Sequence, residues 1–292
     1  MKDLSGKVAV VTGGAGGIGK ALCEELTAEG AKVVVADVQD ELLERTTAEL
    51  KEGGGDVVGV RSDVTDPASM QALADRTWDS YGACHLLFNN AGVGAPSAKP
   101  WESTPNDWRW TFNVNVFGVA NGVMAFVPRM IEDGQEGHVV NTSSPNGGLS
   151  YLPMAAVYAA SKAAVSAFTE TLQNQFIADG LKLRASVFYP SGGMLKTGMW
   201  ESDKTRPQEF ARERPRATTP ITVEVLEERA KQGGYELPWQ DLNELAHVVL
   251  QGIKDERFLI MIGADSVGDS LRSRAEHLGK GDCPPHEGGI TG

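Results

Sequence analysis

The chain has 292 residues, 41% hydrophobic and 23% charged, which suits a globular protein with a large buried core and excludes a mainly disordered chain. A net charge of −12 and a pI near 4.9 argue against a nucleic-acid binder, which carries a basic face. No uninterrupted run approaches the ~18 apolar residues of a membrane span, so no membrane partner is expected.

The three cysteines, Cys23, Cys84 and Cys283, stand far apart with no CxxC pair. That excludes a disulfide scaffold or a cysteine zinc site, and it suits a reducing cytosol. Met1-Lys2-Asp3-Leu4-Ser5-Gly6-Lys7 leads straight into an apolar run, so no signal peptide and a cytoplasmic location are expected. Without secretion, the sequon Asn141-Thr142-Ser143 is only a string match.

In chain order, β-branched runs predict strands at 8–12, 32–36, 57–61, 86–89, 138–142 and 184–188. They read as strands buried on both faces, as in a parallel sheet. Helical stretches fall between them at 20–29, 40–51, 68–81, 106–131 and 155–179. Asp66-Pro67 and Thr104-Pro105 each put a capping side chain before a proline at the first helical position. Strand–helix alternation with short loops predicts an α/β fold, a doubly wound parallel sheet of Rossmann type.

After Pro190 the pattern breaks. Residues 191–240 carry Gly192-Gly193, Pro207, Pro215, Pro220 and Pro238, with a helical piece at 223–231. This is too long for a plain connection and reads as a lid inserted in a single catalytic domain spanning 1–292. A helix at 241–253 and a strand at 258–262 follow. From Gly279 the chain is rich in Gly and Pro and reads as a flexible tail. There are no internal repeats.

The first strand runs into Thr12-Gly13-Gly14-Ala15-Gly16-Gly17-Ile18-Gly19 and then a helix. Strand, glycine loop and helix in that order fit a pyrophosphate site. Glycines admit the tight turn and the close approach of backbone, and the helix start offers unpaired N–H groups. A glycine-rich surface turn is the bland alternative. Asp37 ends the second strand, 18 residues after Gly19, where an acid would bond the ribose hydroxyls of NAD and repel a 2′-phosphate. Val38 and Gln39 follow it rather than a cation, which favours NAD over NADP.

Tyr158 and Lys162 are four residues apart, so on a helix they share a face. They follow the fifth strand of this pattern, with Ser143 and Ser144 at a strand end upstream. Thr12-Gly13-x-x-x-Gly17-Ile18-Gly19, Asp63-Val64, Asn89-Asn90-Ala91-Gly92, Val114-Asn115, Ser144 and Tyr158-x-x-x-Lys162 together resemble the short-chain dehydrogenase/reductase family. The resemblance covers about residues 5–190.

The resemblance implies a hydride transfer between NAD(H) and a secondary alcohol or ketone. It makes Tyr158 the general base or acid, with Lys162 beside it and on the nicotinamide ribose. A free phenol titrates near ~10, and one cation at ~5 Å is worth about 3 kcal/mol at an effective dielectric of 20, close to the needed drop. Ser144 would bond the substrate oxygen. Asn115 would hold a water that relays the proton from Lys162. Gly13, Gly17, Ile18, Gly19, Asp37, Asp63, Val64, Asn90, Ala91, Gly92, Pro190 and Thr197 would line the cofactor. For the Asn89–Gly92 turn, a structural role and a binding role stand equal. No metal is implied.

Two features depart from the family pattern. Ser144 precedes Tyr158 by 14 residues, one more than usual, and Ser143 is adjacent; a bulge at 145–148 would absorb the difference. Thr197 follows Pro190-Ser191-Gly192-Gly193 about two residues later than the family's threonine.

Leu149, Tyr151, Met194, Met199 and Trp200, with Leu152, Leu195, Phe210, Tyr235 and Trp239, suggest a large apolar pocket for an aryl or polycyclic substrate. Packing of the lid onto the body would use the same side chains. Arg206, Arg212, Arg214 and Arg216 alternate with Glu209 and Glu213 and read as a solvated face. An epimerase or dehydratase with retained NAD, or a non-catalytic dinucleotide sensor, are the competing functions. By resemblance, the long helices at 106–131 and 155–179 pair copies into a dimer or tetramer.

Overall fold

The computed structural model describes residues 1–215 and 222–284. Among them, seven parallel strands form one sheet: β1 (Val8–Thr12), β2 (Lys32–Asp37), β3 (Val57–Arg61), β4 (Leu86–Asn89), β5 (Gly137–Thr142), β6 (Leu183–Phe188) and β7 (Leu259–Ile260). The order across the sheet is β3-β2-β1-β4-β5-β6-β7. The chain winds outward from β1 to β3, then returns to place β4 on the other side of β1. This reversal leaves a crevice at the carboxyl ends of β1 and β4, where ligands bind in open α/β sheets.

Both faces of the sheet are covered. Helices α1 (Gly17–Ala28), α2 (Asp40–Glu52) and α8 (Leu242–Lys254) bury Leu22, Leu26, Leu43, Leu245 and Val249 against Val11, Val33 and Val35. On the other face, α3 (Pro67–Tyr81), α5 (Gly118–Asp133) and α6 (Ala156–Ala178) bury Met70, Leu73, Phe126, Met130 and Phe176 against Val10, Val34 and Val139. Neighbouring residues of one strand thus feed opposite cores, which explains the unbroken apolar runs. Each fully buried Val or Leu contributes about 1.5–3 kcal/mol of transfer free energy.

The first six strands lie within one residue of their predicted ends. The seventh is shorter than 258–262, because it pairs only with Val187 and Phe188 at the end of β6. The predicted helix at 106–131 is α4 (Pro105–Phe112), a π-helical turn (Asn113–Phe117) and α5 in one run. That 29-residue run is long and apolar enough to cross a membrane by length and composition, which corrects the expectation drawn from counting uninterrupted apolar residues. Half of its most apolar stretch is buried against the sheet, as in a core helix.

The lid segment contains two 3-10 pieces, Gly198–Thr205 and Gln208–Phe210, and α7 (Val223–Gly233). Arg216 and Pro220 lie outside the described residues, as does the tail beyond Pro284. Just before the tail stands α9 (Val267–Gly279), which the sequence did not signal: only Val267, Leu271 and Leu278 are large and apolar there.

Candidate active site

The turn after β1 is built by glycines that admit no substitute. A Cβ on Gly19 would lie 2.0 Å from the Gly13 carbonyl oxygen, and one on Gly13 would lie 2.9 Å from the Ala91 Cα. Gly13 and Gly17 also have positive φ, of 62° and 52°. Helix α1 then begins with Gly16 as its cap, without a side-chain cap bond and without an acid in the first turn. Its first N–H groups are open to an anion. Ile18 packs into the core beneath. Asp37, at the end of β2, accepts hydrogen bonds from the Ala15 (3.2 Å) and Gln39 (3.1 Å) backbones, which aims its carboxylate over this loop.

The turn after β4 is clamped to the turn after β1. Asn90 donates from Nδ2 to the Thr12 carbonyl at 3.0 Å, and Thr12 Oγ1 accepts from the Asn90 and Ala91 backbones at 3.0 and 3.1 Å. Beneath it, Asn89 Nδ2 donates to Asn141 Oδ1 at 2.9 Å, and Asn141 Nδ2 to Thr169 Oγ1 at 3.0 Å. The side chains of Asn89 and Asn90 are therefore committed to buttressing the sheet. Gly92 lies beside Asn115 and Lys162: a Cβ there would stand 3.4 Å from Asn115 Oδ1 and from Lys162 Nζ. Asp63 accepts from the backbone and hydroxyl of Thr65, at 2.9 and 2.7 Å. Val64 packs against Gly118, and its carbonyl accepts from Asn121 at 2.8 Å.

Asn115 sits in the π-helical turn and is fully buried. Its Oδ1 accepts from the Val93 backbone at 2.9 Å, and its Nδ2 donates to the Val93 carbonyl and to Ser161 Oγ, both at 3.0 Å. The side chain ties the strand-end loop to α6. The widened turn places this residue against the site, as such turns often do.

Tyr158 and Lys162 share the inner face of α6. Lys162 is 2% exposed; its Nζ donates to the Thr142 carbonyl at 2.9 Å and stands 5.8 Å from the centre of the Tyr158 ring. Burial lowers the Lys162 ammonium to about 8. Burial also pushes the Tyr158 hydroxyl up to about 12, against a hydrogen bond with Ser144 that lowers it. The protein alone thus moves the phenol opposite to the expected direction, because desolvation of the phenolate outweighs that bond.

The two neighbouring serines separate cleanly. Ser143 Oγ donates to the Lys162 carbonyl at 2.6 Å and serves the helix. Ser144 faces Tyr158 and accepts from the Asn146 backbone at 3.2 Å. Between Ser144 and Tyr158 a 3-10 turn, Pro145–Gly147, is pressed onto α6 so closely that a Cβ on Gly147 would lie 2.4 Å from the Lys162 carbonyl carbon.

Around this floor, Pro190 lies two residues past the end of β6, and Thr197 packs on the phosphate turn: a Cβ on Gly17 would lie 3.2 Å from the Thr197 side chain. Met199 covers Gly94, whose N–H donates to Ser202 Oγ at 2.9 Å. Trp200 Nε1 donates to the Leu195 carbonyl at 2.7 Å, and Met194 pairs with Trp239. Leu149 is half-buried, while Tyr151 and Met199 stay largely exposed. The Arg274 guanidinium lies 4.8 Å from the Tyr151 ring centre, so α9 closes one side of the rim. No local pattern announces that contact across more than a hundred residues.

The arginine segment is corrected by the structure. Arg206 and Arg212 do not form a solvated face: their side chains are 5% and 12% exposed and converge on Asp107, itself 1% exposed. Burial alone would raise the Asp107 carboxyl, but hydrogen bonds from the Thr104 backbone, Arg206 and Arg212 hold it below its ordinary value. The sequence marked Thr104 as a helix cap and gave no sign of the ion pairs, whose partners are about a hundred residues apart.

Among the described residues, no group of three or more His, Cys, Asp or Glu could hold a metal ion. The glycine turn, the open start of α1, Asp37 and Gly92 form a backbone-lined cradle fitted to a dinucleotide.

Comparison with known proteins agrees with this geometry. The chain is 32% identical over 281 residues to a 1-deoxy-11-beta-hydroxypentalenate dehydrogenase of Streptomyces avermitilis, covering 95% of this chain and 93% of that protein. It is 34% identical over 263 residues to a C alpha-dehydrogenase of Sphingobium sp., covering 89% and 82%. A short-chain dehydrogenase/reductase from Burkholderia phymatum, solved in complex with NAD, superposes with a TM-score of 0.88 at 36% identity, covering 99% of this chain and 100% of that one. Residues 7–208 match the family model of short chain dehydrogenases, and the chain belongs to that family.

Proposed function

We propose that this protein is an NAD-dependent dehydrogenase that transfers a hydride between NAD(H) and a bulky, largely apolar secondary alcohol or ketone. The observation that carries the reading is the convergence of Ser144, Tyr158 and Lys162 beside the glycine cradle that ends at Asp37.

The roles follow from the chemistry. In oxidation, the carbinol C–H bond breaks and its electron pair leaves as hydride, while the carbinol O–H proton passes to the Tyr158 phenolate. Ser144 donates to the substrate oxygen and stabilises its developing charge. One cation at ~5 Å is worth about 3 kcal/mol at an effective dielectric of 20, or about two pKa units. An ammonium at Lys162 favours the Tyr158 phenolate and so opposes the rise that burial imposes. NAD, when bound, supplies the hydride acceptor and a further positive charge. The turn from Gly13 to Gly19, with Ile18, would hold its phosphates, Asp37 its ribose, and Asp63, Val64, Asn90, Ala91, Gly92, Pro190 and Thr197 would make the remaining contacts. Asn115 keeps the Lys162 side of the floor in place and ordered for the proton relay.

The substrate lies against Leu149, Tyr151, Met194, Met199 and Trp200. Relatives named for dehydrogenation of hydroxypentalenate and of a Cα position support a bulky alcohol. Phe117, at the end of the π-helical turn, and Met124 and Ile131 of α5 stand seven residues apart and are exposed, which supports pairing of copies into a dimer or tetramer. Buried, unpaired Cys23 and Cys84 fit a cytoplasmic setting.

The test is NADH formation at 340 nm over secondary alcohols from small aliphatics through aryl carbinols to hydroxysteroids, with NAD and NADP in parallel. Turnover of bulky members with NAD is the expected result. NAD retained through purification with no net turnover would move the assignment to an epimerase or dehydratase. Light scattering after gel filtration reads the assembly; a strict monomer would overturn the pairing.

A further inference from the structure

We propose that Asp107 is a positioning residue for the substrate lid: through Arg206 and Arg212 it fixes the height of Gly198–Thr205 over the catalytic floor, and so sets the affinity for bulky substrates. This rests on the dehydrogenase reading above.

Several of the lid's polar contacts meet at Asp107. Asp107 Oδ1 accepts from Arg206 Nη1 at 2.9 Å and lies 3.0 Å from Arg212 Nε, while Oδ2 accepts from Arg212 Nε at 3.1 Å and from the Thr104 backbone at 2.9 Å. Arg206 stacks 5.0 Å from the Trp110 ring centre and donates from Nε to the Phe210 carbonyl at 2.7 Å. Around this hub, Asn106 Nδ2 donates to the Ala211 carbonyl at 2.8 Å, and Arg214 donates to the carbonyls of Trp101 and Ser103 at 3.3 and 3.2 Å.

The two ends of the lid piece explain what the hub does. At its start, Thr197 rests on Gly17 of the phosphate turn, and Met199 and Ser202 rest on Gly94. At its end stands Arg206, held by Asp107. The piece is pinned at one end to the cofactor cradle and at the other to α4. That helix continues through the π-helical turn to Asn115, which holds Val93 beside Gly94. One rigid run therefore carries both the lid anchor and a brace of the catalytic floor. Burying this ion network costs desolvation that apolar packing would avoid, and among the described residues Arg206 Nη2 is buried without a hydrogen-bond partner. What the network supplies in return is a single geometry, fixed by directional bonds.

The experiment compares Asp107→Asn, Arg212→Gln and Arg212→Lys with the wild type. For Asp107→Asn, KM for an aryl carbinol should rise about tenfold or more, KM for a small aliphatic alcohol by less than about twofold, and kcat should change by less than about threefold. NADH affinity from fluorescence titration should be unchanged. Arg212→Gln should follow in the same direction, and Arg212→Lys should recover part of the loss. An unchanged KM overturns the proposal, and so does an equal effect on both alcohols or a joint fall of kcat and NADH affinity. Should Asp107→Asn fail to fold, Arg212→Gln, a change on the lid itself, decides by the same criteria.

Trypsin gives an activity-free arm that separates this proposal from the dehydrogenase reading. Cleavage after Lys204 and Arg212, quantified by mass spectrometry, should be about tenfold faster in folded Asp107→Asn than in wild type, because released segments are cut through their open population. Equal rates overturn the anchor whether or not any alcohol turns over.

Discussion

The catalytic floor and the lid are held by different kinds of bond. Around the floor, backbone does most of the work. Glycines touch carbonyls, asparagines clamp one strand-end turn to the next, and Tyr158 and Lys162 of α6 lie one turn apart. The lid is held by long side chains, with arginines converging on one buried aspartate. A backbone-built floor tolerates almost no change at its glycines and so holds one geometry. A lid held by side chains can be re-anchored by a few substitutions, which lets the same floor serve different substrates.

The largest effect that sharpens this contrast is on the floor. Tyr158→Phe removes the proton carrier while keeping the ring, and kcat should fall about a thousandfold or more, with NADH affinity within a few fold of wild type. Steady-state rates and fluorescence titration read both; activity within tenfold of wild type would break the assignment of Tyr158.

Next comes the edge of the cradle. Asp37→Asn keeps an acceptor for the Ala15 and Gln39 backbones while removing the charge. Preference for NAD over NADP should shrink by about tenfold, the worth of one close charge pair. Unchanged discrimination would make Asp37 a structural residue only.

The smallest effect concerns stability and pH. Lys162 is held near 8 in the folded protein against an ordinary 10.5. Between these values the unfolded chain carries the proton and the folded chain does not, so folding gains as pH rises through this window and loses as pH falls toward 8. The Tm of wild type minus that of Lys162→Met should therefore move in the wild type's favour from pH 8 to 10.5. A gap independent of pH would place the Lys162 charge in a better-solvated site than the structure gives it.

Much of the floor was legible in the chain. The Thr12–Gly19 turn, Asp37 and Tyr158-x-x-x-Lys162 are short-range patterns whose spacing equals a turn, a strand end or one helical turn. Even the tight turn after Ser144 was resolvable in principle, since Gly147 leaves room for it on α6. Less visible was how the side chains divide their duties. Asn89 and Asn90 are spent on neighbouring strands, and Ser143 on α6 rather than on substrate. The direction of the Tyr158 shift was likewise hidden, because it depends on how much protein surrounds the phenol.

Local periodicity, glycine spacing and strand–helix alternation determined the doubly wound sheet, the dinucleotide cradle and the Tyr–Lys pair, because those features arise within a few residues of sequence. Tertiary structure alone decided the arginine hub on Asp107, the stacking of Arg274 on Tyr151 and the packing of Thr197 on Gly17. These join residues separated by about a hundred positions or more, and charged side chains read as solvated until the fold buries them against a partner and makes their pairing obligatory.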